Sequence, residues 1–263
     1  MDGFTPHQDR RLALVSGGSS GIGAATAEAL AGIGHPVAIG ARRIERCAPI
    51  AETIRAKGGE VFAHPLDVTE PDSIEEFVGA AERALGPAEI LVASAGEIEF
   101  SPVHAMDPER FLRQVQLHLG GAQRLVHQVL PGMLRRQRGD VVLISSDSAL
   151  APRPWMGAYS AAKAGLEAMA QAMRMELEGT GIRTCVVRPG PTATGMGTDT
   201  DPQILGPLLQ DWTAWGFFRH MNMVPASDVA AAVVAVVSMP RGSHLVLAEV
   251  QPEAPVRPPG STA

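Results

Sequence analysis

The chain has 263 residues, of which 45% are hydrophobic and 19% charged, and its formal net charge is −6 with a pI near 5.8. This length and apolar content allow one large globular domain or two small ones with a sizeable buried core, and they argue against extended disorder. The arginines are scattered and the net charge is negative, so the sequence lacks the basic patch of a nucleic-acid-binding protein.

Cysteines, histidines and the first residues indicate the compartment and exclude several kinds of site. Cys47 and Cys185 are far apart in apolar settings, so we expect free thiols in a reducing compartment rather than a disulfide or a metal pair. The histidines show no ligand spacing, and no metal is expected. The opening MDGFTPHQDRR lacks the pattern of a signal peptide, and no apolar run reaches the roughly 20 residues that cross a bilayer. The sequence therefore predicts a cytoplasmic protein with no membrane partner.

Short apolar runs alternate with amphipathic stretches of helical length. The runs that predict buried strands lie at 12–16, 36–40, 61–65, 89–94, 140–145, 183–189 and 244–250. The predicted helices include 24–33, 73–85, 107–137 and 227–238. This alternation predicts an α/β fold, a single-domain, Rossmann-like, doubly wound parallel sheet of about seven strands with helices on both faces. We expect the domain to span residues 1–250 and the proline-rich segment 251–263 to be a tail that does not pack.

A glycine-rich turn follows the first predicted strand and leads into a helix. The stretch LALVSGGSSGIGAATAEAL has the spacing G-x3-G-x-G, which lets the backbone turn tightly and approach a ligand. The free N–H groups of the following helix then suit a diphosphate. In this strand–turn–helix context the sequence predicts a dinucleotide site. The predicted phosphate-binding residues are Gly17, Ser19, Ser20, Gly21, Ile22 and Gly23.

The end of the second strand indicates which dinucleotide binds. A carboxylate there would accept hydrogen bonds from a ribose 2′-OH, but this chain has Ala41 followed by Arg42 and Arg43. Because a guanidinium pairs well with a phosphate, the sequence favours NADP(H) as the cofactor. The alternative is that both arginines are solvated residues at the start of a helix.

The only tyrosine of the chain, Tyr159, lies four residues before one of its two lysines, Lys163. On a helix these positions share a face, and an ammonium beside a phenol favours the phenolate. Together with a positive nicotinamide ring, Lys163 is expected to lower the Tyr159 pKa from roughly 10, as an acid/base catalyst requires. Ser146 ends the fifth predicted strand, where parallel-sheet enzymes carry site residues.

With these motifs the chain resembles the short-chain dehydrogenase/reductase (SDR) family over about residues 10–250. SGGSSGIG corresponds to its glycine-rich turn, LDV (66–68) to its adenine-contacting strand end, YSAAK to its Y-x3-K and RPGPTAT (188–194) to its P-G segment. The resemblance implies that Tyr159 exchanges a proton with the substrate oxygen, Ser146 hydrogen-bonds that oxygen, and Lys163 binds the nicotinamide ribose. It further implies cofactor contacts from Asp67, Val68, Ala93, Ala95, Gly96, Pro189, Gly190, Thr192 and Thr194.

Two positions depart from the family pattern. The family has N-N-A-G after its fourth strand, whereas this chain has Ala93-Ser94-Ala95-Gly96, so the backbone support of the first asparagine is lost or is supplied by Ser94. In the long fourth helix His118 replaces an asparagine that relays protons. Because histidine titrates near neutrality, we expect a working relay with an altered pH dependence. A purely structural histidine, or a protein that binds nucleotide without turnover, are the alternatives.

The segment 195–227 corresponds to the mobile substrate lid of the family. It is rich in large apolar residues, namely Met196, Trp212, Trp215, Phe217, Phe218, Met221 and Met223. Such residues more often pack a core or a subunit contact, but together with Trp155 they favour a bulky apolar carbonyl or alcohol as substrate. The predicted function is an NADP(H)-dependent oxidoreductase that forms a homo-oligomer, a dimer or tetramer. An NAD-dependent alcohol dehydrogenase and a catalytically silent nucleotide sensor are the rival functions.

Overall fold

The computed structural model describes residues 10–217 and 222–256. Its main sheet has seven parallel strands in the order β3-β2-β1-β4-β5-β6-β9. These strands are β1 (Leu12–Ser16), β2 (Val37–Ala41), β3 (Val61–Pro65), β4 (Ala88–Ala93), β5 (Gly139–Ile144), β6 (Ile182–Pro189) and β9 (Leu247–Val250). Two short strands, β7 (Thr192–Ala193) and β8 (Val224–Pro225), pair separately with each other.

Helices cover both faces of this sheet, which confirms the predicted fold class. They are α1 (Gly21–Gly32), α2 (Ala48–Ala56), α3 (Pro71–Leu85), α4 (Pro108–Val115), α5 (Gly121–Arg136), α6 (Gly157–Glu176), α7 (Pro202–Ala214) and α8 (Ala226–Val237). Among the residues described, none of these helices combines the length and the apolar character needed to span a membrane. Within the same residues no group of three or more ligating side chains is placed to hold a metal ion.

Alternation along the strands divides the core between the two faces. Leu14 and Leu91 point into the cluster that α3, α5 and α6 cover, whereas their neighbours Val15 and Val92 point into the cluster under α1, α2 and α8. A parallel strand covered on both sides must be apolar throughout. The five central strands are accordingly almost fully buried, whereas β3 and β9, at the two ends of the strand order, are only partly buried.

The long helix predicted at 107–137 forms without a gap, but a π-helical turn divides it into two α-helices. Helix α4 passes through a π-helical turn, Gln116–Gly120, before α5 begins. Asp107 starts α4 by accepting hydrogen bonds from the N–H groups of Glu109 and Arg110, at 3.0 and 3.1 Å. A π turn carries one residue more than the α-helical register, and such turns are frequent at functional sites.

Two further predictions need correction near the C-terminus. Strand β9 begins at Leu247, three residues after the predicted start at 244. The beginning of the predicted tail packs on the domain, because the Asn222 side chain donates to the Glu253 carbonyl at 2.9 Å and Gln251 lies against Gly190. Residues 1–9, 218–221 and 257–263, and with them Phe218 and Met221, lie outside the described residues.

A buried ionic cluster lies at the amino ends of the parallel strands, where it joins Arg11, just before β1, to β5 and β6. Asp140 at the start of β5 is 1% exposed and accepts hydrogen bonds from Arg11, and from Arg183 Nε at 2.6 Å. Burial works against ionisation of this carboxyl, but the two guanidinium groups leave the Asp140 pKa below its usual value. This cluster lies at the edge of the sheet opposite to the one that carries the predicted site.

Candidate active site

The glycine-rich turn after β1 has the geometry of an anion site. Gly17 has φ +72°, and a Cβ there would lie 2.9 Å from Ala95 Cα, so an L-residue side chain is strongly disfavoured. A Cβ on Gly23 would lie 2.3 Å from the Gly17 carbonyl oxygen. Ser20 precedes α1 without a side-chain cap, and the first turn of α1 carries no acidic residue. The first N–H groups of α1 therefore suit a diphosphate, and the turn fits a dinucleotide.

The other residues predicted in this turn differ in burial. Ser19 is half-buried and Ser20 exposed, while Ile22 packs against the core under α1. The Thr194 side chain closes the turn from the opposite side, since a Cβ on Gly21 would lie 3.1 Å from its methyl carbon. The residues around the predicted phosphate position thus come from two distant parts of the chain.

The loop after β4 is supported by a residue that the sequence analysis missed. The Ser16 hydroxyl, at the end of β1, accepts hydrogen bonds from the N–H groups of Ser94 and Ala95, both at 3.1 Å. The backbone support expected from Ser94 is thus provided by Ser16. Ala93 pairs with Ser16 in register at the strand ends, which brings this loop beside Gly17.

At the predicted adenosine end, Arg42 binds a carboxylate across the cleft. Its guanidinium donates to Glu97 Oε2 at 2.8 Å, and both side chains are largely exposed. Ala41 is buried at the end of β2, and Arg43 is exposed just before a short 3₁₀ turn, Ile44–Cys47. Arg42 therefore reaches from β2 to the segment after β4, over the edge where the strands end.

The LDV segment after β3 is held by its own side chains. Asp67 Oδ1 accepts hydrogen bonds from the Thr69 N–H at 2.9 Å and from its hydroxyl at 2.7 Å. Val68 is buried against Gly121, where a Cβ would lie 2.6 Å from a Val68 methyl group. The Asp67 carboxylate thus stabilises the turn and presents the backbone of residues 67 and 68 to the edge of the sheet.

Ser146, Tyr159 and Lys163 lie together at the carboxyl end of β5. The Ser146 hydroxyl lies within reach of the Tyr159 phenol, whose ionised form it favours, and it donates to Asp147 Oδ1 at 3.2 Å. Lys163 Nζ lies 5.7 Å from the centre of the Tyr159 ring and donates to the Ile144 carbonyl at 2.7 Å. The three residues are 6 to 8% exposed. Helix α6 places the phenol and the ammonium one turn apart on the face that packs against the strand end.

The pKa values in this group differ from the expectation. Burial raises the Tyr159 pKa to about 12, which outweighs the hydrogen bond from Ser146 that favours the phenolate. The expected lowering is wrong for the protein alone, because burial dominates and the Lys163 ammonium, 5.7 Å from the ring centre, does not offset it. Burial also lowers the Lys163 pKa to about 8, although the nearby Glu167 carboxylate acts in the opposite direction. The phenol is therefore protonated at neutral pH.

His118 lies in the π turn with its ring edge-on to Tyr159, at 5.0 Å between ring centres. Its Nε2 lies 2.6 Å from the Glu97 carbonyl oxygen and must donate the proton there. Nδ1 is then an acceptor, and it is buried without a hydrogen-bond partner in the described part of the chain. Burial and the Lys163 charge lower the His118 pKa to about 3. The prediction that His118 titrates near neutrality is therefore wrong, since the ring stays neutral over the working pH range.

An ion pair and a tryptophan form one wall beside the tyrosine. Arg153 donates to both Asp147 carboxylate oxygens, at 3.0 and 2.6 Å, and to Ser148 Oγ at 2.9 Å. Its guanidinium lies over the Trp212 ring, 5.9 Å from the ring centre. Ser148 is fully buried, and its hydroxyl accepts the hydrogen bond from Arg153.

Helix α7 is fixed to this wall by its tryptophan and aspartate. Trp155 Nε1 donates to Asp211 at 2.7 Å, and Trp212 Nε1 donates to the Pro154 carbonyl at 2.8 Å. Phe100 stands edge-on to Trp212 at 6.1 Å between ring centres. Trp155 has φ +71°, a strained conformation for a residue with a side chain, of the kind that accumulates at functional sites. Trp215 is 73% exposed and Met223 56%, so these two do not contribute to a closed wall.

The P-G segment leaves β6 beside the site. Pro189 and Gly190 are buried, and the Thr192 hydroxyl donates to the Gly190 carbonyl at 2.8 Å. Thr194 Oγ1 accepts from the Met196 N–H at 3.2 Å. The β7–β8 pair joins the two ends of the segment that contains α7.

A buried ion pair below the Ser146, Tyr159 and Lys163 group was not found from the sequence. Arg188 donates from Nε and Nη2 to the two Glu167 oxygens, at 3.0 and 2.6 Å, and the Ser145 hydroxyl donates to Glu167 Oε1 at 2.6 Å. The second Arg188 Nη binds Glu249 at 2.8 Å. In the sequence, the features that point to the Glu167–Arg188 pair are the four-residue spacing from Lys163 to Glu167 and the position of Arg188 directly before the P-G segment.

The comparisons with known proteins agree with this geometry. The family model for the short chain dehydrogenases matches residues 11–204. Glycine betaine reductase ATRR of Emericella nidulans is 36% identical over 241 residues, 91% of this chain and 18% of that protein. Short chain dehydrogenase MYCFIDRAFT_6125 of Pseudocercospora fijiensis is 34% identical over 193 residues, 73% of this chain and 62% of that protein. This chain thus spans less than two thirds of the length of either relative.

A solved structure covers nearly the same residues. The X-ray structure of an alcohol dehydrogenase from the archaeon Thermococcus sibiricus, complexed with 5-hydroxy-NADP, has a TM-score of 0.80 and 25% sequence identity, and the match covers 95% of this chain and 100% of that one. The matched family model covers more than half of the chain, including the glycine-rich turn and the Ser146, Tyr159 and Lys163 group. The chain therefore belongs to the short chain dehydrogenase family.

Proposed function

We propose that this protein is an NADP(H)-dependent oxidoreductase that transfers hydride between nicotinamide and a carbonyl compound or secondary alcohol. Ser146, Tyr159 and Lys163 are its acid/base group. One observation carries the proposal: the buried Tyr159 phenol lies beside Ser146, with the Lys163 ammonium over its ring, at the carboxyl ends of the strands where the glycine-rich turn follows β1.

The residues of the chain divide the chemistry between them. A bound nicotinamide supplies or accepts the hydride. Ser146 donates a hydrogen bond to the carbonyl oxygen of the substrate and fixes its position, and Tyr159 transfers its hydroxyl proton to that oxygen as negative charge develops on it. Lys163 stabilises the phenolate that remains, and it binds the nicotinamide ribose. The neutral His118 ring accepts a hydrogen bond at Nδ1, so it holds a water of the proton path without taking up charge itself.

The protonation state of Tyr159 favours reduction. With a pKa near 12 the phenol carries its proton at neutral pH, and proton donation to a carbonyl needs no prior ionisation. Alcohol oxidation would need the phenolate, which burial disfavours in the protein alone. Reduction of a ketone or aldehyde is therefore the proposed direction near neutral pH.

Arg42 supports the choice of NADP(H). No carboxylate stands at the end of β2, and Arg42 reaches over the strand ends towards Glu97, so its guanidinium can turn to a 2′-phosphate. The similar alcohol dehydrogenase from Thermococcus sibiricus was solved with 5-hydroxy-NADP.

The proposed substrate is a bulky apolar carbonyl compound. Phe100, Trp155 and Trp212 form an aromatic wall near the Asp147–Arg153 pair, and both charges of that pair act on Tyr159. We propose that the segment 195–227, which supplies Trp212 to this wall, is a lid over the site, since β7 and β8 hold its two ends together. The proposed catalytic domain is residues 1–250, and the proline-rich segment 251–263 is proposed as a tail whose first residues, Gln251 and Glu253, contact the domain.

A second substrate class follows from the same wall. The Trp212 face already binds a cation, the Arg153 guanidinium, and one relative is a glycine betaine reductase. An aldehyde with a trimethylammonium group would place its cation against these rings, beside the carboxylates of Asp147 and Asp211.

The proposal is tested by following NADPH absorbance over a panel of ketones and aldehydes that includes a trimethylammonium aldehyde. Tyr159→Phe keeps the ring and removes the proton, so we expect turnover to fall at least roughly 100-fold while NADPH affinity stays unchanged. Leu150→Ala, on an exposed side chain beyond the Ser146 turn, is the control and keeps full activity. An active Phe variant contradicts the catalytic assignment. Tight NADPH binding with no turnover on any carbonyl favours a nucleotide sensor instead, and an equal response to NADH favours the NAD-dependent alternative.

We further propose that the protein is a cytoplasmic homo-oligomer, a dimer or tetramer. Cys47 and Cys185 are free buried thiols, which suits a reducing compartment. Leu112 on α4, Leu134 on α5 and Met175 on α6 are exposed apolar side chains on helices. Light scattering on the purified protein measures the mass and would contradict this proposal by giving a monomer.

A further inference from the structure

Below the Tyr159–Lys163 pair, one buried carboxylate contacts all three segments that carry the proposed reaction. Glu167 lies one helical turn beyond Lys163 on α6 and is 7% exposed. Its Oε1 accepts a hydrogen bond from the Ser145 hydroxyl at 2.6 Å, and Ser145 directly precedes Ser146. Arg188, which binds both Glu167 oxygens, directly precedes Pro189 and Gly190. The carboxylate thus joins the ends of β5 and β6 to the catalytic helix.

The ammonium and the carboxylate are fixed at consecutive residues of the chain. Lys163 Nζ donates to the Ile144 carbonyl at 2.7 Å, and Glu167 accepts from Ser145. The two side chains therefore run side by side from α6 to the same strand end, as expected for positions i and i+4. Since water is excluded here, the Glu167 carboxylate acts on Lys163 with little screening, and it opposes the loss of the ammonium proton that burial causes.

The titratable and charged groups near Lys163 and its neighbours come from several elements. They are Tyr159 and Glu167 on α6, His118 in the π turn, Asp147 and Arg153 after β5, Arg188 on β6 and Glu249 on β9. His118 is neutral, Asp147 and Arg153 pair with each other, and Arg188 is shared by Glu167 and Glu249. Among these groups, Glu167 is the one that raises the Lys163 pKa.

Stabilising the contact between β5 and β6 does not by itself explain the buried Glu167–Arg188 pair. Buried ion pairs add little net stability over apolar side chains of the same volume. The chain ties β5 and β6 together a second time through Asp140 and Arg183 at the amino edge, where no catalytic residue lies. Of these two ion pairs, the Glu167–Arg188 pair is the one that contacts Ser145, which precedes Ser146, and that contains Arg188, which precedes Pro189.

We propose that Glu167 is a positioning residue of the active site, which aligns the Ser146 and Pro189 segments with α6 and keeps Lys163 in its ammonium form. This role rests on the proposed function, in which Lys163 acts as a cation. It extends the acid/base group by a residue that touches neither substrate nor cofactor.

The composition of the chain makes a direct test possible. Lys57 and Lys163 are its only lysines, so protein labelled with ¹³C-lysine gives two side-chain resonances. Lys57 has a largely exposed side chain and serves as an internal reference. We expect Lys163 to titrate near pH 8 in the full chain, and Glu167→Gln to lower that midpoint by at least about one pH unit. Arg188→Gln removes the cation that neutralises Glu167 and is expected to move the midpoint upward.

Asp140→Asn is the matched control. It breaks the Asp140–Arg183 pair at the amino ends of β5 and β6, and it should leave the titration midpoint of Lys163 unchanged. All variants are compared on protein that unfolds cooperatively. In turnover measurements, Glu167→Gln moves the alkaline limb of the kcat profile to lower pH by the same amount, whereas a purely structural defect lowers kcat equally at every pH.

Three outcomes would overturn the role of Glu167. They are an unchanged Lys163 midpoint in Glu167→Gln, a downward shift in Arg188→Gln, or an equal shift in Asp140→Asn. If Glu167→Gln does not fold, the Arg188→Gln titration alone decides. A protein that reduces no carbonyl compound would refute the proposed function, but the lysine titration would still decide whether Glu167 maintains the ammonium.

Discussion

Replacement of Arg42 is the sharpest test of how this chain recognises its cofactor. Without a nucleotide, the Arg42 guanidinium is hydrogen-bonded to Glu97 Oε2 at 2.8 Å, with 60% and 49% of the two side chains exposed. In the proposed complex the same guanidinium binds the 2′-phosphate that distinguishes NADPH from NADH. Cofactor binding therefore replaces Glu97 by the 2′-phosphate as the partner of Arg42. The binding free energy of NADPH gains only the difference between these two interactions.

The size of that difference follows from the exposure of the pair. An exposed ion pair contributes about 0.2–1 kcal/mol, and a hydrogen bond to a charged group about 1.5–3 kcal/mol. Arg42→Ala should therefore weaken NADPH binding by about 0.5–2.8 kcal/mol, which is roughly 2- to 100-fold in Kd. Glu97→Gln frees Arg42 in the unbound protein and should tighten NADPH binding by roughly 1.5- to 5-fold. Neither change should alter the Kd for NADH.

Titration calorimetry with NADPH and NADH, at low and at high salt, measures these effects. Arg83→Ala is the control, because this exposed arginine lies near the end of α3, at the amino edge of the sheet. The reasoning is refuted if Arg42→Ala weakens both cofactors equally, or if Arg83→Ala has the same effect as Arg42→Ala. The effect of Glu97→Gln should shrink as salt screens the exposed pair.

Two further changes test the turn and the ionic cluster. Gly17→Ala places a Cβ 2.9 Å from Ala95 Cα at φ +72°, so we expect a lower Tm and at least about tenfold weaker NADPH binding, whereas Gly32→Ala, with open space around it, should change neither. Asp140 ionises at a lower pH in the folded chain than in the unfolded chain, so its contribution is complete above the unfolded pKa of about 4 and is lost as the pH falls through the folded pKa. Asp140→Asn should therefore cost about 3 kcal/mol of unfolding free energy at pH 7 and make stability less sensitive to acid. Urea unfolding from pH 7 to pH 3 measures this, and equal acid sensitivity in both proteins would contradict it.

The sequence predicted the elements whose signal is local. Continuous apolar runs gave all seven strands of the sheet, and the glycine spacing after β1 gave a turn whose geometry excludes side chains at Gly17 and Gly23. The four-residue spacing also places Tyr159 and Lys163 on one face of α6. Such features depend on backbone conformation and helical or strand periodicity, which neighbouring residues specify.

Features that depend on distant contacts were missed. Neighbouring charge suggested an acidic phenol at Tyr159, but its burial, which the sequence does not report, raises its pKa to about 12. His118 was expected to titrate near neutrality because free imidazole does so, but burial and the Lys163 charge lower its pKa to about 3. Ser16 supports the loop after β4 across 78 residues of sequence. Glu167 and Arg188 meet only because α6 packs on the ends of β5 and β6.

The π turn before α5 has a consequence for the architecture of the whole domain. Each α-helical residue advances about 100° around the axis, so one extra residue turns all side chains after it by about that angle relative to those before it. Helix α4 consequently faces α6, while α5 faces α3 and the sheet. One continuous rod of helix thus has two apolar sides at different angles, and the change of direction occurs at the histidine beside the tyrosine. A chain shorter by one residue at this point would have to give up one of the two packings.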